Sequence, residues 1–119
     1  MQIDSVSIKD LLQAHLDFSL QRARLASENL ASTEVAGYQA QRLERAEFYQ
    51  QLQAVLNSEE PAQSLSELNV SPTTLEGPIR ADEQIAELVA ASTEFQALLE
   101  TLNRHTGLMK LAMSSRGGV

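Results

Sequence analysis

The chain has 119 residues, with 16 acidic and 9 basic side chains, a net charge of -7, and neither cysteine nor tryptophan. This length suits one small domain. The lack of cysteine excludes a disulfide framework and a thiolate metal site. The negative charge argues against nucleic acid as the main partner, because binding phosphates requires a basic surface.

The sequence contains no membrane anchor or secretory signal that we recognise. No apolar run approaches the roughly 20 residues that cross a bilayer. The first ten residues lack the basic start and the continuous apolar stretch of a Sec-type signal peptide. If this protein acts outside the inner membrane, it therefore needs another export route.

The first predicted helix covers about residues 7–32. Apolar and small residues recur there at alternating steps of four and three, which places them on one face of a helix. Ser5 or Ser7 can cap the start, because a serine hydroxyl accepts a hydrogen bond from the first turn. The positions on this face are Leu12, Leu16, Ser19, Ala23, Ala26 and Leu30.

The middle of the chain predicts a turn, a shorter helix and a loop. Gly37 is the natural place for the positive φ that ends a helix. A second helix follows at about residues 42–56, with Phe48 and Leu52 on its apolar face. Residues 57–81 hold all three prolines and many polar residues, which is typical of a polar loop.

The last predicted helix, about residues 82–115, has the most regular pattern. Most positions at 3–4 spacing over four heptads are apolar, which favours a coiled-coil contact. Ala91, Leu98 and Ala112 lie beside this stripe, so the helix can contact more than one neighbour. The positions of the stripe are Ile85, Leu88, Ser92, Phe95, Leu99, Leu102, Thr106, Met109 and Met113.

These elements predict an all-α single domain in which the terminal helices pair as an antiparallel coiled-coil hairpin, with a short middle helix and a polar loop. Such a hairpin buries little core on its own. The sequence therefore favours an oligomer or a polymer.

No pattern indicates an enzyme. His15 and His105 are the only imidazoles, and neither has acidic neighbours at ligand spacing, so a packing or surface role is the better interpretation. There is no phosphate-binding loop, nucleophile motif or recognisable pair of catalytic carboxylates. We predict no catalytic residue, no metal, no cofactor and no small-molecule substrate.

The end of the first helix resembles a stretch of flagellar rod and hook proteins. Residues 22–38 read Arg-Ala-Arg-Leu-Ala-Ser-Glu-Asn-Leu-Ala-Ser-Thr-Glu-Val-Ala-Gly-Tyr. In that family an amphipathic helix leads into Asn-Ile-Ala-Asn and, a few residues later, Thr-Pro-Gly-Tyr. The matching positions are Asn29, Ala31, Gly37 and Tyr38, with Leu30 a close substitute; the departures are Ser32, Val35 and Ala36.

The start of the last helix is also similar to that family. Rod proteins have an acidic Glu-Met start and then a Tyr-x-Ala motif; here residues 82–85 read Asp-Glu-Gln-Ile and residues 95–98 read Phe-Gln-Ala-Leu. The short basic end of the chain, residues 113–119, resembles the tail of proximal-rod proteins. The short middle segment resembles the proximal-rod (FlgB-like) type, because distal rod and hook proteins insert a β-rich domain there.

The resemblance, which covers roughly residues 10–52 and 80–117, implies a structural subunit of the bacterial flagellar basal-body rod. Such a subunit leaves the cell through the flagellar type III export apparatus without a cleavable signal peptide and assembles in the periplasmic rod. The implied partners are copies of itself, neighbouring rod proteins and the junction protein at the rod base. The implied assembly interface comprises Leu12, Leu16, Ala23, Ala26, Asn29, Leu30, Gly37, Tyr38, Ile85, Leu88, Phe95, Leu99, Leu102, Met109 and Met113.

Two alternatives stay open at this point. One is a cytoplasmic helical adaptor or export chaperone, which would form a defined soluble dimer. The other is a different axial rod subunit, or a rod-like subunit of a related secretion system. Asn29 also has two interpretations: its amide bonds the backbone at a helix end, or it marks the point where the helix meets its neighbours in a rod.

Overall fold

The computed structural model describes residues 6–117, except for the side chains of residues 116 and 117. The described chain is mostly helical, and its long N-terminal and C-terminal helices pack together, which confirms the coarse prediction of a helical protein with paired terminal helices. The elements in chain order are α1 (Ile8–Ala31), β1 (Gln41–Arg42), α2 (Arg45–Leu56), α3 (Pro61–Ser66), β2 (Thr73–Thr74) and α4 (Ala81–Gly117).

Local sequence explains where α1 begins and ends. The hydroxyl of Ser7 accepts a hydrogen bond of 3.1 Å from the amide of Asp10 and caps the first turn. Ser5, the other candidate cap, lies outside the described residues. After the helix, Gly37 adopts the expected positive φ, at 81°, a conformation that glycine adopts without a steric penalty.

The predicted loop, residues 57–81, contains more structure than its composition indicates. α3 begins at Pro61, since proline suits the first turn of a helix, where its missing amide is not needed. β2 then pairs with β1 as a short antiparallel ladder, with Gln41 opposite Thr74. These elements are too short to produce a readable hydrophobic period, so the prediction of a polar loop for this segment missed α3 and β2.

A small core joins the middle of the chain to α1. Its four buried members are Phe18, Leu43, Phe48 and Val70. The rings of Phe18 and Phe48 stack with centroids 4.4 Å apart, and the ring of His15 meets Phe48 edge-on at 5.0 Å. His15 therefore has the packing role that the sequence favoured.

α1 and α4 run antiparallel and differ in length. The side chain of Ser19 bonds to Glu94, and Asn29 bonds to Gln84, so residue numbers fall on one helix as they rise on the other. α4 has 37 residues and α1 has 24, so about 20 Å of α4 has no counterpart in α1. Every residue from 107 to 115 is exposed; we call residues 107–117 the overhang. The molecule measures 65 × 31 × 17 Å.

Candidate assembly surfaces

The contact between α1 and α4 contains a buried cation. Arg22 lies on the inner face of α1 and is only 8% exposed. Its guanidinium donates two hydrogen bonds to the carboxylate of Glu87, at 2.9 and 3.0 Å, and one to Glu94 at 3.1 Å. Paired planar groups of this kind bond strongly and in one orientation only. The contact therefore fixes the register of the two helices.

Glu94 links three helices. Its carboxylate accepts a hydrogen bond from Ser19 on α1 and pairs with Arg45 on α2 at 2.9 Å, besides its bond from Arg22. Burial alone would raise the pKa of Glu94, but the hydrogen bond from Ser19 and the guanidinium groups of Arg45 and Arg22 outweigh it and lower the pKa below its usual value. Glu94 is therefore held in its charged form.

Asn29 is fully buried and uses its whole side-chain amide. Its Nδ2 donates to the carbonyl oxygen of Gln41 at 2.9 Å and to Oε1 of Gln84 at 2.8 Å. Its Oδ1 accepts from the amide of Gln41 at 3.2 Å and from the hydroxyl of Tyr38 at 3.3 Å. One side chain thus joins α1, β1, the preceding turn and α4 (the Asn29 cluster). Asn29 therefore does more than bond the backbone at a helix end, and its role in a rod stays a prediction.

The sequence analysis missed most of these polar contacts. It selected Asn29, Tyr38 and Ser19 but not Arg22 or Gln84. One signal was available for Arg22, which lies three residues after Ser19 on the face that also carries Leu16 and Ala26. A charged residue on such a face needs a buried counter-charge, and α4 carries Glu87 and Glu94 one heptad apart.

Most of the residues of α4 that are buried or half-buried follow a regular stripe, which is flanked by the half-buried Glu87, Ser92, Glu94 and Thr106. The residues of the stripe occur at steps of four and three along the helix, and the face they define points toward α1. Gln84 and Ala91 are buried, and Ala91 has no exposed surface. The stripe consists of Gln84, Leu88, Ala91, Phe95, Leu98, Leu102 and His105. Met109 continues the same spacing past the end of α1 and is exposed.

A second set of apolar residues on α4, the open apolar stripe, lies beside the stripe that faces α1 and stays exposed in the single chain. Ile85, Val89 and Leu99 are 52%, 59% and 40% exposed. Leu108 and Leu111, in the overhang, are two-thirds exposed. Large apolar groups rarely cluster on the free surface of a monomer without a partner.

The structure separates the residues predicted for the assembly interface into three groups. Leu16, Ala26 and Asn29 are buried inside the chain. Leu12, Ala23, Leu30, Tyr38, Leu88, Phe95 and Leu102 are half-buried, and Gly37, Ile85, Leu99, Met109 and Met113 are exposed. The first group serves the fold of the single chain, whereas the last group is free to contact other molecules.

Nothing among the described residues indicates a metal centre or a membrane span. No cluster of three or more His, Cys, Asp or Glu side chains within residues 6–115 could hold a metal ion. No helix of the described part of the chain is both long and apolar enough to cross a bilayer. Comparison with known proteins finds no matching family model, no matching curated protein and no matching solved structure.

Proposed function

We propose that this chain is a structural subunit of a helical polymer, and specifically a proximal-rod subunit of the bacterial flagellar basal body that reaches its site by type III export. The observation that carries the proposal is the open apolar stripe of Ile85, Val89 and Leu99 on a long helix of an acidic chain. A subunit that packs among copies of itself would bury this stripe, and burial stabilises contacts by about 25 cal/mol per Å² of apolar surface.

The geometry of the helix pair supports a polymer more than a compact enzyme. The stripe of α4 that faces α1 has the 3–4 spacing of a coiled coil, and in this proposal the outer stripe adds a second such contact with a neighbouring subunit. The molecule is long and thin, so most of its helical surface is available to neighbours.

The Asn29 cluster supports the assignment to the flagellar rod family. The motif residues Asn29 and Tyr38 are bonded to one another at 3.3 Å, and Gly37 supplies the turn that returns the chain to α1. In this proposal the motif sets the direction in which the chain leaves α1, and the neighbouring rod proteins and the rod-base junction protein contact the surface so formed.

The experiment compares two carboxylates placed on different faces of α4. Leu99→Asp puts a charge on the open apolar stripe, whereas Thr101→Asp puts the same charge at an exposed position about 200° around the helix. We expect Leu99→Asp to fold and to be exported but to be absent from purified basal bodies, because an unpaired carboxylate in an apolar contact must lose its hydration or take up a proton, at a cost on the order of several kcal/mol. Thr101→Asp should be incorporated normally.

Leu98→Asp provides the third arm of that experiment, because Leu98 lies on the stripe that faces α1. This variant should lose stability as a monomer and be depleted before export. If Leu99→Asp instead accumulates in the cytoplasm and impairs export of another protein, the chain is an adaptor or export chaperone. Normal rods built from the Leu99→Asp protein would contradict the assembly role of the outer stripe.

A further inference from the structure

α2 is held against the two long helices by a small set of contacts that lie close together. The ring of His15 on α1 meets Phe48 edge-on at 5.0 Å and Tyr49 at 6.1 Å. At the first residue of α2, the guanidinium of Arg45 pairs with the carboxylate of Glu94 on α4 at 2.9 Å. α2 therefore contacts α1 through aromatic rings and α4 through an ion pair.

Both contacts depend on which groups are protonated. The contact of His15 with Phe48 places an uncharged imidazole against a ring, and the pair of Arg45 with Glu94 requires a charged carboxylate. The charge of Arg45 also acts on His15, so the two contacts are coupled. The charged and titratable groups around this point are Glu87 and Glu94 from α4, Arg22 from α1, and Arg45 and Tyr49 from α2.

Acid weakens the two contacts in turn. Burial lowers the pKa of His15 below 6.5; the charge of Glu94 opposes this shift, and that of Arg45 adds to it. His15 therefore binds a proton more readily when α2 has moved away, since burial and Arg45 no longer oppose the charge. The pKa of Glu94 is lowered from 4.5, so its attraction for Arg45 is present above pH 4.5 and is lost as the pH falls below that value.

The contact between α1 and α4 depends mainly on other groups. Asn29 bonds to Gln84 through neutral amides at 2.8 Å, and Arg22 makes two of its three carboxylate bonds to Glu87. Asn29 also bonds to the carbonyl oxygen of Gln41, which holds the chain that leads into α2 on α1. α2 can therefore leave without separating the long helices.

From these contacts we propose that α2 detaches in acid: protonation of His15, and then of Glu94, releases α2 while α1 and α4 stay paired. Detachment uncovers the small apolar core that α2 closes, so acid exposes apolar surface on this side of the helix pair. The proposal concerns the single chain and does not rest on its assembly into a rod. The core residues that become exposed are Phe18, Leu43, Phe48 and Val70.

Hydrogen exchange of the full-length chain, corrected for the intrinsic exchange rate at each pH, measures how often each helix opens. Above pH 6.5, the amides of α2 should exchange at least about tenfold faster than those of α4 between residues 84 and 98, because α2 opens without separating the long helices. Between pH 6.5 and 4.5, the exchange of α2 should become faster, by at most about tenfold per pH unit, since one proton drives the opening.

Two pairs of variants assign the groups. His15→Phe should abolish the acceleration between pH 6.5 and 4.5, whereas His105→Phe, which replaces the other imidazole of the chain, should keep it. Arg45→Gln removes the ion pair and should speed the exchange of α2 by up to about fivefold above pH 4.5, the ratio expected for a partly exposed pair. Arg104→Gln is the control for a lost cation, because the pair of Arg104 with Glu100 lies within α4.

Asn29→Ala separates the release of α2 from unfolding of the whole chain. Asn29 bonds to Gln84 whether or not α2 is in place, so its loss should speed the exchange of α4 far more than that of α2. If α2 and α4 exchange equally fast at every pH, α2 unfolds together with the long helices and the proposal is wrong. It is also overturned if the exchange of α2 does not change between pH 6.5 and 4.5, or if His15→Phe keeps the acceleration.

Discussion

The paired part of α4 and its overhang differ in which side chains are buried and which are exposed. Where α4 meets α1, the contact includes buried polar groups, with Arg22, Asn29 and Gln84 at its centre. In the overhang, the apolar side chains of Leu108 and Leu111 are open to solvent. Buried polar groups tolerate only one geometry, whereas apolar surface stabilises many. The first region therefore specifies the register of the helices, and the second leaves apolar surface exposed.

The largest expected effect comes from removing the buried cation. Arg22→Ala leaves the carboxylates of Glu87 and Glu94 facing α1 without their guanidinium. Because both carboxylates keep some contact with solvent, we expect a loss of about 3 kcal/mol in the free energy of unfolding, at the low end for a broken buried pair. Urea unfolding monitored by circular dichroism measures it.

Arg24→Ala is the matched control, since Arg24 is exposed on the same helix and its loss should change stability by less than about 0.5 kcal/mol. Equal effects of the two substitutions would show that the Arg22 network does not hold the helices together.

A somewhat smaller loss is expected at Asn29. Asn29→Ala removes four hydrogen bonds at once and leaves the side-chain oxygen of Gln84 and the backbone of Gln41 without partners. We expect a cost of about 2 kcal/mol, because buried polar groups without partners lose their hydration and gain nothing in return. Asn103→Ala, at an exposed position on α4, should be nearly neutral in the same unfolding experiment. If Asn29→Ala were equally neutral, a water molecule would have to make the hydrogen bonds that the amide of Asn29 makes in the wild-type chain.

The helices of this fold were predictable, but the side of α4 that meets α1 was not. Hydrophobic spacing identified two long helices, because a 3–4 period sustained over many residues is specific to an amphipathic helix. The same spacing could not show whether Leu98 or Leu99 faces α1, since both are apolar and lie beside Leu102 and Phe95. The choice depends on Gln84 meeting Asn29 and on Glu87 and Glu94 meeting Arg22, which are polar contacts between distant parts of the chain.

The candidate site was predictable to a similar extent. The family resemblance singled out Asn29, Gly37 and Tyr38, and the structure brings the side chains of Asn29 and Tyr38 together. The packing of Val70 against Phe18 and Phe48 was not foreseen, because Leu68 and Val70 occur singly in a polar segment. Isolated apolar residues in such a segment carry no period, and their contacts are set by the fold of the whole chain.

A third prediction concerns the junction between the two regions. Gly107 lies where the paired part of α4 ends, its φ is not positive, and an added Cβ would meet no atom within 4 Å. Gly107→Ala should therefore stabilise the helical overhang by about 1 kcal/mol. Hydrogen exchange of the amides after residue 107 should slow about fivefold, while exchange in the Asn29 cluster stays the same.

Gly77→Ala is the matched control for that change. Gly77 also has free space around its Cα but adopts a φ of 84°, so alanine there should destabilise the protein by about 1 kcal/mol. If Gly107→Ala slowed exchange throughout α4, the overhang would unfold together with the paired region and the two would be one unit.

The smallest expected effect is a dependence on pH that belongs to the paired side of the molecule. Burial against Phe48 lowers the pKa of His15 below its ordinary value of 6.5; the charge of Glu94 opposes this shift, and that of Arg45 adds to it. Between the pKa of His15 in the folded protein and 6.5, His15 binds a proton more readily in the unfolded chain than in the folded one. The contribution of His15 to stability is therefore full above pH 6.5 and falls as the pH drops below it. Glu94 contributes to stability in a different pH range. Because its pKa is lowered from 4.5, its contribution to stability is present above pH 4.5 and is lost as the pH falls below that value.

His15→Phe keeps a ring against Phe48 but cannot titrate. Urea unfolding at a series of pH values should therefore give this variant a flatter profile just below pH 6.5 and the same decline below pH 4.5. An unchanged profile just below pH 6.5 would mean that another group titrates there.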